Sequence, residues 1–509
     1  MKTKKIYKIL ICTLLIGSLG CTNLEIEQTD SVFKNQTGEF TGVDPAGSLT
    51  NLYNSLNGII STQENFYALS EATTDEILVP TRGTDWGDNG VWRTLESHTW
   101  DANHKFIKNT WNTFNQMIYN ATAIIDSRSN PSEEQAAEAK FIRAYSMYQI
   151  LDLFGQVPFR TPDEGGDVNP EVMSRSEALD FVMQDLNDAL SVLPSSGPSA
   201  GLNKSTKDAV RFLMARAYLN KHVFLGTESP AAEDMNKVIE LVDAINADGF
   251  ELQEGYFDIF TEEVDSETIF FAKADVGPKI WSALHYKQDT PDNTGGGWNG
   301  FATLAEFYDL FEGDPEINVP GSGQEERRGF VPTDGSHYGI GYGFLIAQQY
   351  DETGTAMTDR VGNPLYFTRD FPGLLGNNED TGIRPIKWHP ENGAFTQHTV
   401  VFRYADAFLM KAEAIMNGGS GDMTPLEMVN QLRTIRNAEP LTDLSAQDLL
   451  DERGRELYME FVRRDDMIRF GQFNEPYEFM DVTDDYRSLF PIPATAIITN
   501  PNLVQNPGY

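Results

Sequence analysis

The sequence predicts a mainly α protein: a tetratricopeptide-like scaffold of helical hairpins carrying a large, irregular, loop-rich insert. Two observations predict it. Capped, alanine-rich amphipathic segments recur between short Gly/Pro turns, as in stacked helical repeats. Residues 275–395, by contrast, are rich in Gly, Pro, Asn, Asp and aromatics and have little helical periodicity. The 40% apolar content is enough for a sizeable core, and 23% charged residues exclude a wholly disordered chain of 509 residues. The repeat period is irregular, so periodicity alone leaves an ordinary large α domain open.

The chain opens on Lys2, Lys4, Lys5 and Lys8, the apolar run Ile9 to Ile16, then Gly17, Ser18, Gly20 and Cys21. A basic n-region, a short apolar h-region and a small-residue cleavage zone make residues 1–20 a signal peptide. Cys21 stands where a bacterial lipoprotein is acylated; the alternative is a secretory signal with a cysteine beside it by chance. Ser18 holds the place where leucine is usual, three residues before the cysteine. The only other cysteine, Cys12, lies in the h-region, so cleavage leaves no cysteine free for a disulfide. Residues 21–50 then read as a lipidated tether and lead-in segment.

Residues 51–274 carry helical signals. Ser132 to Gln135 is a capping box, and Ala137, Phe141, Ala144, Tyr145, Tyr148 and Leu151 follow on one face. Gly155 and Pro158 end that helix. Ser174 to Glu177 caps a second, with Leu179, Val182, Leu186 and Leu190 on its apolar face; a third follows Ser205. Within this region, residues 78–100 form a smaller polar, aromatic island. Residues 275–395 form the insert, and 396–509 return to helices. There Thr424 to Glu427 is a capping box with Pro425 at the first helical position, and residues 446–463 predict a strong helix.

Charge narrows the function classes. Against 39 Lys+Arg stand 76 Asp+Glu, a net charge of −37. Removing residues 1–20 leaves 35 basic residues, so the mature charge is −41. Such a chain does not track nucleic acid, which needs clustered cations. It also disfavours sulfated or uronate-rich polymers and points to a neutral partner.

Catalytic patterns are missing. Seven histidines are scattered without metal-ligand spacing, and no GxSxG elbow or phosphate-cradling loop occurs. Carboxylate pairs such as Glu456 and Glu460 arise by chance among so many acids. Asp85, Asn89, Gly90 and Glu96 fall at EF-hand-like spacing. Gly87, however, stands where that loop needs a side-chain ligand, so no metal is expected; nor is a cofactor. The aromatic loops say more. Sugar rings have apolar C–H faces that stack on exposed Trp and Tyr, while Asp, Asn and Arg bond the hydroxyls. Trp86, flanked by Arg82, Asp85 and Asn89, and Trp298, set in a Gly/Asn run, read as exposed glycan contacts. Tyr338, in a Gly-rich run, is a further candidate. Trp92, Trp100 and Trp111 read as core.

The C-terminal motifs are the most recognisable. They are Val401 to Ile415 (VFRYADAFLMKAEAI), Asp451 to Gly471 (DERGRELYMEFVRRDDMIRFG), Leu489 to Pro493 (LFPIP) and Asn500 to Tyr509 (NPNLVQNPGY). With Ala137 to Tyr145 and Leu153 to Pro158, they resemble the SusD/RagB family of glycan-binding outer-membrane lipoproteins. The resemblance implies a SusD-like fold and a lipid-anchored place on the cell surface. It implies a partner, a SusC-like TonB-dependent transporter, and a role in delivering captured oligosaccharides to it without catalysis. Read from the residues alone, Arg453, Glu456, Arg463, Arg464 and Asp465 look like a structural ion-pair network, and the closing Pro/Asn run like extended chain that packs back on the scaffold. Two alternatives stay open: a secreted α-rich glycoside hydrolase, and a helical protein-binding scaffold without glycan affinity.

Overall fold

In the computed structural model, which describes residues 39–165, 168–393 and 395–509, antiparallel helices stack in chain order. Helix Lys105–Ile125 packs on Glu133–Phe154, which packs on Arg175–Val192. The stack continues through Lys207–Leu225 and Ala232–Ala247. It then resumes after the insert, where Tyr404–Met416 packs on Ala232–Ala247 and on Pro425–Ile435. This is the predicted hairpin scaffold, and residues Gly42–Tyr509 form one unit. Cys12 and the expected lipidation site, Cys21, lie outside the described residues. Among the described residues, no helix is long and apolar enough to cross a membrane.

The caps form where the sequence places them. Ser132 with Gln135, Ser174 with Glu177 and Thr424 with Glu427 each close a reciprocal capping box. Gly155 ends its helix at φ 71°. Helix Glu133–Phe154 buries more than its predicted face: Ile142, Met147, Ile150 and Leu153 are also sealed. It lies between two neighbours, and one of its polar positions is neutralised there, Arg143 pairing with Asp185 at 2.7 Å.

One predicted helix is shorter than expected. The 446–463 segment breaks into Ala446–Leu457 and Arg463–Arg469. Between them Met459 and Phe461 adopt left-handed φ of 63° and 67°. Their N–H groups point away from a helical ladder and donate to the buried carboxylates of Glu76 and Glu71. Tertiary hydrogen bonds override the local periodicity.

The insert leaves and returns through one gate. Strand Thr268–Ala272 pairs antiparallel with Thr399–Arg403, Ala272 opposite Thr399. Between them lie short helices and a three-stranded antiparallel sheet of Gly329–Phe330, Tyr342–Leu345 and Arg384–Ile386. A continuous core runs from scaffold to insert, with Phe212 stacked on Phe402 at 4.3 Å and Phe344 beside Tyr458 at 5.1 Å.

The seam is charged as well as apolar. Glu456 accepts from Arg403 at 2.7 Å, Arg436 at 2.9 Å and Arg327 at 3.1 Å, all fully buried. These guanidiniums hold its carboxyl far below the usual range despite burial. Arg327 and Lys387 come from the insert, so the network fastens insert to scaffold. The other family-motif residues reach further: Arg453 to Asp406 and Asp466, Arg463 to Asp75, Arg464 to Asp152. The C-terminal run does pack back, Asn506 donating to the carbonyls of Phe154 and Phe490.

Candidate functional site

Three loops of the insert build an open cleft of about 580 Å³, with Tyr286, Tyr338 and Tyr350 on its walls. The loops have local reasons for their shapes. His337 and Tyr338 take left-handed φ of 54° and 61°, a strained pair at the cleft wall. Gly339 follows at φ 74°; a Cβ there would stand 2.4 Å from the Tyr350 carbonyl oxygen, so only glycine lets the two tyrosine segments meet. Beyond Tyr350 the chain turns tightly, Asp351 accepting from the N–H groups of Thr353 and Thr355. Polar side chains of Lys287, Gln288, Asp289 and Glu352 complete the lining. Half-buried phenols among convergent hydroxyl-bonding groups suit a sugar ring.

Tyr286 joins this cleft to the 78–100 island. Its hydroxyl donates to Asp85 at 2.6 Å. Burial and the Asp85 carboxylate push the phenol up to about 12. The Arg360 guanidinium lies 3.8 Å over the Tyr286 ring and is held by Glu379 at 2.6 Å. His285, beside it, is depressed to about 4 by burial and the nearby Arg384, so it is neutral.

The predicted contacts divide. Tyr338 lines the cleft, Asp85 supports it through Tyr286, and Trp298 is exposed at 41%. Asn89 is exposed but borders a different cleft, of about 590 Å³, with Asp88 and His104. Trp86 differs from its predicted exposure. Its ring is half-buried against Gly300, Trp92 and Phe301, and its indole N–H donates to the Trp298 carbonyl at 2.8 Å. Arg82 is sealed at 4% exposure, one terminal nitrogen of its guanidinium donating to the carbonyls of Asn378 and Thr381. Burial depresses it to about 9. Both residues position the loops. Trp92, Trp100 and Trp111 are core, as expected. The EF-hand-like residues do not converge: Asp85 faces Tyr286, while Glu96 is buried near Asp75, Glu306 and Glu478.

Sequence reasoning missed Tyr286, Tyr350 and Arg360. The usable signal was Tyr350, which directly precedes the Asp-Glu-Thr-Gly turn. A third cleft, of about 500 Å³, lies on the scaffold between helix Lys105–Ile125 and the C-terminal segment. Its lining contains none of the left-handed non-glycine residues that gather at 86–89, 299 and 337–338.

Fold and site together define a helical-hairpin scaffold protein that presents an aromatic, polar cleft on an irregular insert. Comparison with known proteins gives the family. The SusD family profile matches residues 266–509, and a second, described as starch-binding associating with outer membrane, matches residues 31–219. The chain belongs to the SusD family. It is 25% identical to the starch-binding protein SusD of Bacteroides thetaiotaomicron, over all of both chains. Among solved structures it resembles a SusD-like protein from Bacteroides fragilis, with TM-score 0.69, 20% identity, and coverage of 94% of this chain and 98% of that one. It also resembles a laminarin-binding SusD-like protein, with TM-score 0.68, 20% identity, and coverage of 94% and 100%.

Proposed function

We propose that the protein is a cell-surface glycan-binding lipoprotein, anchored through Cys21 in the outer membrane. It captures oligosaccharides or polysaccharides and delivers them to a SusC-like TonB-dependent transporter, without catalysing a reaction on them. The observation that carries the reading is the cleft of Tyr286, Tyr338 and Tyr350 on the insert. Family membership supports it, since relatives are named for binding starch and laminarin. The second family description, which mentions the outer membrane, supports the location.

Affinity electrophoresis or calorimetry of the purified protein against a polysaccharide panel tests capture. Binding to at least one polymer is expected, with Tyr338→Ala weakening it by about tenfold, the scale of one lost aromatic stack. Unchanged binding in Tyr338→Ala would remove the cleft from the reading. Product release from the same panel would favour the hydrolase alternative. Loss of fatty-acid labelling in Cys21→Ala is the matching test of the anchor.

A further inference from the structure

The charges around the tyrosine cleft are paired asymmetrically. Two cations approach it. Lys287 lines the cleft and is exposed; its ammonium donates to the Asp359 carbonyl at 2.6 Å and to the Thr358 hydroxyl at 3.3 Å, neutral oxygens that position the charge without cancelling it. Arg360 is exposed, yet Glu379 takes both its Nε–H and its backbone N–H, and Asp85 lies 3.9 Å from its outer nitrogen. Two more guanidiniums lie behind the loops, Arg82 and Arg384. Both are sealed from solvent; Arg82 donates from one terminal nitrogen to the carbonyls of Asn378 and Thr381, and Arg384 from its two terminal nitrogens to those of Phe301 and Glu379. The acids outnumber Lys287, the one unpaired cation among the described residues of the lining. Asp289 and Glu352 line the cleft, are exposed, and have no ion-pair partner among the described residues. Asp351 lines it too, its Oδ1 engaged only by its own turn.

We infer that the cleft selects uncharged sugars and rejects uronate or sulfated ones; this rests on the glycan-capture reading above. A hydroxyl ligand finds ready acceptors in the free carboxylates and donors in Tyr338 and Tyr350, and brings no charge to desolvate. A sugar carboxylate or sulfate would meet Asp289, Asp351 and Glu352 at close range with only the Lys287 ammonium to offset them, so net like-charge repulsion remains. Overall acidity gives only a diffuse, salt-screened bias; the cleft makes the bias local.

The test uses whichever of starch, laminarin and xyloglucan the protein binds. The same polymer is then presented carboxymethylated, and as the methyl ester of that derivative to control for bulk. A panel of alginate and pectate runs beside them. The expected result is that the carboxymethylated form binds about tenfold more weakly than its ester at low salt, the gap shrinking toward 0.5 M salt. The double variant Asp289→Asn, Glu352→Gln, at two exposed and unpaired positions, should narrow the gap; because the charged and esterified forms are compared within the variant, any change in neutral affinity divides out, and an unchanged gap would overturn the assignment to these acids. Equal affinity for the charged and esterified forms, or tight binding of alginate or pectate, overturns the selectivity while leaving glycan capture intact. If no polymer of either kind binds, capture itself fails, and the selectivity with it.

Discussion

Two tryptophans read alike in the sequence and behave differently in the fold. Trp86 and Trp298 both sit in Gly/Asn/Asp runs that offer no local core. The difference is Gly300: without a Cβ, its backbone receives the Trp86 ring, and an added Cβ would lie 2.2 Å from Cε2. No local pattern reveals that pairing, because it joins segments more than two hundred residues apart. The consequence is separable by mutation. Trp86→Ala should cost about 2–4 kcal/mol of stability, through lost packing and an orphaned carbonyl, read as a lower urea midpoint. Trp298→Ala should leave that midpoint nearly unchanged. Under the proposed function it should also weaken glycan binding by about tenfold. The reverse pattern would exchange the two roles.

At the scale of elements, helices with local signals were legible and irregular joints were not. The capping boxes at Ser132, Ser174 and Thr424 lie within four residues of sequence, so reading them needs no tertiary knowledge. The break at 458–462 depends instead on Glu71 and Glu76, far away in the chain and fully buried. Burial raises both carboxyls, which also act on each other; Glu71 reaches about 7. The ordinary value in the unfolded chain is about 4.5, so the folded state holds this proton more tightly. Its stabilisation is therefore complete below about pH 4.5 and is lost as pH rises through about 7. Urea unfolding across that window should show Glu71→Gln removing a decline of order 2–3 kcal/mol relative to the parent. Parallel pH profiles for parent and variant would mean that the dyad carries no shared proton.

At the scale of the whole molecule, the question is whether scaffold and insert unfold as one. The sequence shows two textures, helical and loop-rich, and marks the Asp451–Gly471 motif as an ion-pair network. It does not show the partners, which come from Glu267, Arg327, Lys387, Arg403 and Arg436, spread across the chain. Arg327 is the test, because it belongs to the insert and pairs at full burial with Glu325, Glu452 and Glu456. Its loss would leave buried carboxylates short of a cation, a defect that costs roughly 3–5 kcal/mol. Three guanidiniums pull Glu452 down to about 2, Arg327 the strongest of them, so that acid stays ionised and feels the loss in full. Helix Ala446–Leu457, which carries Glu452 and Glu456, is also part of the scaffold. The damage therefore reaches both parts. Arg327→Met should give a single unfolding transition at a lower midpoint, with hydrogen exchange accelerating together in 326–348 and in 446–457. Two separate transitions, with exchange rising in 326–348 alone, would make the insert an independent domain and the buried network a mere fastening between two bodies.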